Sequence, residues 1–118
     1  PIQFALTYPE RLALELPAID FARMGSLNFG ELDRERYPCL NLVLQAGAAG
    51  QTYPAALAAA DEEAVAAFLD GRLPFLDIPK LLADTLERHV PGAATSLEPI
   101  LEADAWARDF ARAWVKDR

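Results

Sequence analysis

One cysteine, Cys39, and one histidine, His89, stand among the 118 residues. A lone cysteine excludes an intrachain disulfide and a cysteine-based zinc site, and it suits a reducing cytoplasm, where the chain is expected to reside. Basic residues are in deficit: 11 Lys and Arg against 18 Asp and Glu leave a net charge of −7. Nucleic acid is therefore not an expected partner, since affinity for phosphates comes mainly from Lys and Arg. Long apolar runs are also missing. None approaches the roughly 20 residues needed to span a bilayer, and no basic n-region precedes an apolar stretch, so neither membrane insertion nor secretion is expected. The common signatures for phosphate, metal and nucleophile sites (GxGxxG, a Walker-type loop, HExxH, GxSxG, CxxC) do not occur.

What is present reads as a helical protein. The chain is 53% hydrophobic and 25% charged, too apolar for disorder. Its length fits one domain with one core. Alanine supplies much of the apolar content, and because Ala favours helix while adding little bulk, packing is expected to lean on Leu, Phe and Trp. A helix is expected over Tyr37–Ala49, with Pro38 in its first turn and Gly50 as its stop. A second should run from Pro54 to Asp70, ended by Gly71. Asp77 can cap a third that carries Ile78, Leu82 and Leu86 on one face through to Val90, before Pro91 and Gly92 break it. Thr95 and Glu98 have the spacing of a capping box, with a short turn to follow. Asp104 is then expected to cap a separate final helix whose Trp106, Phe110 and Trp114 recur every four residues. That aromatic row is the expected core anchor, with a cost of about 3–5 kcal/mol for replacing Trp106 or Phe110 by Ala. The fold class is thus all-α: a small antiparallel helical bundle over residues 36–118.

The first third reads differently. Pro17, Gly25 and Gly30 interrupt it and no period is sustained, so residues 1–35 are expected to form an extended linker or arm, with at most a short strand around Ser26–Phe29. Ile2, Phe4, Leu6 and Tyr8 alternate as in a strand, yet Ile2/Leu6 and Phe4/Tyr8 equally suit a short helix begun at Pro1 and stopped before Pro9. Either way the chain opens inside a structured apolar element, as a piece of a larger protein would.

Candidates for chemistry are few, and each has a plainer explanation. His89 aligns with Ile78, Leu82 and Leu86 at a helix end, where the helix dipole favours a partly charged imidazole, but no nucleophile or second histidine accompanies it. Cys39 beside Leu40 reads as a buried, inert thiol. Asp61, Glu62 and Glu63 point about 100° apart on a helix and cannot converge on one ion unaided. Asp61 itself, counted from Leu57, shares a face with Ala64, Val65 and Phe68, so it is expected to be a buried acceptor bonded by linker backbone amides or by an arginine, Arg11 or Arg36; the rival reading turns this edge of the helix outward and leaves Asp61 solvated. No residue is assigned a catalytic, cofactor-binding or metal-binding role.

Several stretches together resemble one enzyme family. Pro1-Ile2, Ala5-Leu6, Tyr8-Pro9 and Arg11 are similar to a PI-x-x-AL-x-YP-x-R segment. Tyr37-Pro38-Cys39-Leu40 is similar to an aromatic-Pro-Cys-Leu segment, and residues 57–69, LAAADEEAVAAFL, to LNAANE-x-AV-x-AFL. Phe75-x-Asp77-Ile78 and Ala103-Asp104-x-Trp106-Ala107-Arg108 complete the pattern. In that order they resemble the C-terminal part of the 1-deoxy-D-xylulose 5-phosphate reductoisomerases; Ala58 and Asp61 depart from it by replacing asparagines. The resemblance implies a parent enzyme that turns 1-deoxy-D-xylulose 5-phosphate into 2-C-methyl-D-erythritol 4-phosphate with NADPH and a divalent metal, Mn or Mg, and that fosmidomycin inhibits. It further implies upstream NADPH-binding and catalytic domains as partners in the same polypeptide, a homodimeric parent, and a structural, inactive role for the present chain. The competing reading from the residues alone is an independent acidic helical interaction module.

Overall fold

The computed structural model describes residues 1–13, 17 and 19–117; the parts of the expected linker at residues 14–16 and 18 lie outside them. Two compact units are present, Pro1–Glu31 and Leu32–Arg118. The described residues are helical or irregular, without strand.

In the first unit the opening segment is a helix, α1 (Ile2–Thr7), which resolves the ambiguity left by its pattern. Thr7 closes it, its hydroxyl placed to donate its one proton to Glu10 O at 2.8 Å or to Gln3 O at 3.1 Å. The i,i+4 pair Phe4 and Tyr8 meets edge to face, and the Arg11 guanidinium lies 4.2 Å from the Phe4 ring centre. A second short helix, α2 (Phe21–Met24), is capped by Asp20, whose carboxylate accepts from the Ala22 and Arg23 amides. The possible strand at Ser26–Phe29 is not formed; those residues are irregular backbone. Many large apolar side chains here are open to solvent, from Met24 at 43% exposure to Phe29 at 91%.

Among the described residues the second unit holds α3 (Pro38–Ala49), α4 (Tyr53–Leu69), a 3-10 turn (Phe75–Asp77), α5 (Ile78–Arg88) and α6 (Leu97–Lys116). Proline and glycine set most of these limits. Pro38, Pro54 and Pro79 lie in first turns, where a missing amide hydrogen costs nothing. Gly71, at φ +72°, terminates α4: the Arg72 amide reaches back to Ala67 O at 2.8 Å and the Gly71 amide to Phe68 O at 2.9 Å.

Two expectations at the C-terminal end are corrected. Residues 97–116 form one continuous helix, and Asp104 lies inside it rather than at a second start. Its carboxylate accepts from Nε of Arg108 at 2.9 Å, an i,i+4 pair that strengthens a helix interior. The residue at the N-cap position is Ser96, one after Thr95, without a side-chain bond to the helix amides, and its hydroxyl holds Glu98 below the usual carboxylate range.

Successive helices run antiparallel, so α4 and α6 point the same way: the start of α4 lies near Gly92 and the start of α6, and Glu62 and Glu63 further along meet Arg108 and Arg112. This like-directed pair makes the most extensive helix contact in the unit. Alanine makes it possible. Ala56, Ala60, Ala64 and Ala67 of α4 and Ala107 and Ala111 of α6 are all within 1% of complete burial and belong to one core cluster. A side chain that ends at Cβ lets helix axes approach closely and loses no rotamer freedom on burial. Leu57, Ile78, Leu81 and Leu82 fill the space toward α5.

The expected aromatic anchor is therefore displaced to an edge. Trp106 is 36% exposed and stacks on Phe110 at 5.5 Å, while Trp114 donates through Nε1 to Asp84 at 2.7 Å. The row lies one position from the alanine stripe and roofs the seam between α5 and α6. Ala107→Leu is expected to destabilise the chain by about 1–3 kcal/mol through overpacking. Trp106→Ala should cost less than the roughly 3–5 kcal/mol of a fully buried tryptophan. Denaturant unfolding of the two variants measures both.

Candidate functional site

A fully buried polar group in the bundle joins segments far apart in sequence. Thr52, fully buried, sits between α3 and α4, and its Oγ1 lies 2.8 Å from Nε2 of His89, the residue that ends α5. The same oxygen accepts the Gly92 amide at 2.9 Å. With that lone pair taken, the Thr52 hydroxyl is free to donate to an unprotonated Nε2. The imidazole is 7% exposed, edge-on to Tyr53 and tilted against Trp106, each at 5.2 Å. Burial pushes its pKa below the ordinary 6.5, so the partly charged imidazole expected from the helix dipole gives way to a neutral one. The sequence pointed to His89 as structural but offered no sign of Thr52 or Gly92 as its partners.

Asp61, Glu62 and Glu63 do not converge. Glu62 meets Arg108 Nη2 at 2.7 Å, and Glu63 forms a two-point pair with Arg112 at 2.6 and 3.0 Å. The bond from Arg112 holds Glu63 below the usual carboxylate range. Among the described residues no group of three or more His, Cys, Asp or Glu side chains is arranged to hold a metal ion. Glu62 and Glu63 are thus committed to arginines across the α4–α6 seam, and Asp61 stands apart from them.

Asp61 departs from its expected burial. It is exposed, and among the described residues it makes no hydrogen bond or ion pair; Arg36 lies instead against the Tyr37 ring. The buried stripe of α4 runs through residues 56, 60, 64 and 67, which turns Asp61 to the edge of a groove lined by Cys39, Val43, Leu57 and Leu82. Partial burial raises its pKa, with the Glu62 charge adding to the effect. Cys39, half-buried across that groove, is pushed up by burial and then by Asp61, which keeps the thiol protonated and unreactive.

Residues 1–110 match the family described as DXP reductoisomerase C-terminal domain. The chain belongs to this DXP reductoisomerase family. It is 48% identical over 117 residues to the 1-deoxy-D-xylulose 5-phosphate reductoisomerase of Pelotomaculum thermopropionicum, covering 99% of this chain and 30% of the relative. It is 51% identical over 116 residues to that of Thermomicrobium roseum, covering 98% and 30%. Among solved structures, the reductoisomerase of Zymomonas mobilis in complex with NADPH superimposes with a TM-score of 0.88 at 37% identity, over 97% of this chain and 30% of that one. A DOX-P reductoisomerase in complex with magnesium gives 0.83 at 31% identity, over 98% and 31%. The chain therefore spans about 30% of the length of these reductoisomerases. No described helix is long and apolar enough to cross a membrane.

Four outcomes follow for the bundle and for Asp61. Because the folded-state pKa of His89 lies below its unfolded value, its contribution is complete above pH 6.5 and is lost as pH falls through the lower, folded-state value. Unfolding midpoints should thus fall as the pH drops below 6.5, a dependence that His89→Gln flattens. Thr52→Val, which strands the Gly92 amide and the imidazole, should cost about 1–3 kcal/mol at neutral pH. Asp61→Ala should cost under about 0.5 kcal/mol, as is usual at the surface. Asp61→Asn should be neutral or stabilising, since a raised carboxylate pKa means that ionisation weakens the fold as pH rises.

Proposed function

We propose that the chain serves as the C-terminal helical domain of a full-length reductoisomerase, a structural part of an oxidoreductase without turnover of its own. The observation that carries this reading is the family match over residues 1–110 in a chain that spans about 30% of its relatives. The complete enzyme would convert 1-deoxy-D-xylulose 5-phosphate into 2-C-methyl-D-erythritol 4-phosphate, a step of non-mevalonate isoprenoid biosynthesis. It would take NADPH and a divalent metal, Mn or Mg, at residues of the upstream domains. The names of the relatives and the NADPH and magnesium complexes of its structural neighbours support that assignment.

The partners are then the NADPH-binding and catalytic domains of the same polypeptide, in a cytoplasmic enzyme that pairs as a homodimer. Residues 1–35 would act as the arm that packs on the catalytic domain, and residues 36–118 as the bundle. Exposed Ile2, Leu6, Phe21 and Phe29 support the role of the arm, since each apolar side chain of this size left in water forgoes roughly 1.5–3 kcal/mol of burial. In this role α4 and α6 would support the neighbouring domains, and the catalytic, cofactor and metal contacts would be made by upstream residues.

The full-length protein is expected to oxidise NADPH when given 1-deoxy-D-xylulose 5-phosphate and a divalent metal, and the 118-residue chain alone is expected not to. Removing residues 36–118 from the full-length protein should abolish turnover and lower its melting temperature together. Substrate-dependent NADPH loss with the isolated chain would sink this reading, as would a deletion that keeps full activity.

A further inference from the structure

One end of the bundle carries an apolar groove. Where the N-terminus of α3 meets the 3-10 turn and the start of α5, Tyr37, Pro38, Leu40, Phe75, Leu76 and Pro79 line a groove of about 670 Å³. Phe75 is 65% exposed and Leu76 74%, and Phe75 is braced edge to face by Phe68 at 5.6 Å. Side chains this large and this open contribute little to the bundle's own core, and Phe75 is nonetheless braced by Phe68. Two of the sequence segments that mark the family, Tyr37-Pro38-Cys39-Leu40 and Phe75-x-Asp77-Ile78, are far apart in the chain and converge here on one surface.

Charge narrows what can fill it. The chain carries −7 overall, but the groove lining holds no carboxylate and one cation, Arg36. A second copy of so acidic a chain would approach against the repulsion of its own net charge. A segment of the same polypeptide meets no such barrier to encounter, because tethering supplies it at an effective concentration on the order of millimolar. About 70% of the length of the relatives lies outside the region that this chain matches, so such a segment is available in a protein of their length.

We propose that this groove is the seat of an apolar segment from the upstream part of the full-length polypeptide, one that inserts an aliphatic or aromatic side chain between Tyr37 and Phe75 and sets a carboxylate against Arg36. The inference rests on the reading of the chain as one domain of a longer reductoisomerase, and it specifies which face the other domains use. Docking couples the bundle to the rest of the enzyme through the α3 and α5 N-termini.

Hydroxyl-radical footprinting of the full-length protein tests it directly. Tyr37, Phe75 and Leu76 should be modified severalfold less, after correction for intrinsic reactivity, than Val90, which is exposed at the other end of α5. In the same protein the Phe75→Glu/Leu76→Glu double variant should split one cooperative melt into two, while Val90→Glu leaves it single. Groove residues as reactive as Val90 would overturn the proposal. Protection that grows with protein concentration would overturn it too, in favour of a second copy. NADPH oxidation by the unmutated full-length protein separates this result from the underlying reading. An active enzyme with an open groove overturns the docking alone, whereas a covered groove in a protein without that activity upholds the docking and overturns the reaction.

Discussion

The close approach of α4 and α6 across facing alanines is the constraint on which the rest of the bundle depends. Helices joined in alternating directions usually leave like-directed members diagonally apart, and here that diagonal is the tightest seam. Only Cβ-sized side chains permit it, so Ala60, Ala64, Ala107 and Ala111 are fixed by geometry rather than by hydrophobicity. The remaining features follow from that seam. Arg108 and Arg112 bridge its flank to Glu62 and Glu63, and the bulky aromatics of α6 are turned aside to cover α5. Exposed ion pairs of this kind set register more than they add stability.

Local punctuation was legible from the residues, whereas facing was not. Pro38 and Gly50, Pro54 and Gly71, and Pro79 bracket α3, α4 and the start of α5 to within a residue or two, because each proline or glycine acts on its own turn. The direction in which α4 faces could not be read, since alanine occurs on nearly every side of it and leaves no periodic contrast. Counting from Leu57 placed Asp61 toward the core, yet the buried stripe passes through Ala60 instead, one position away. In α6 the aromatic period outshone the alanine period beside it. Its continuity was hidden by Asp104, which has the chemistry of a cap but finds an arginine one turn later.

For the site, absence of the usual motifs was informative and the five resembling segments located the family. What they could not supply was tertiary pairing. Thr52 and His89 are 37 positions apart, and nothing in either neighbourhood signals the other. Nor does the pattern distinguish Tyr37 and Phe75, apolar and outward, from Leu81 and Leu82, apolar and inward. That difference emerges only when α3 and α5 are laid side by side.

The hydroxyl of Thr52 has a consequence for how the fold comes apart. A threonine at a helix N-terminus ordinarily satisfies that helix's own free amides, but this one is committed to His89 and Gly92, and α4 begins without a side-chain cap. The first turn of α4 is then only as persistent as the loop that follows α5. Fraying at either place releases the other, so segments remote along the chain behave as one cooperative opening unit. A helix end that would otherwise breathe independently is made to report on the integrity of the whole bundle.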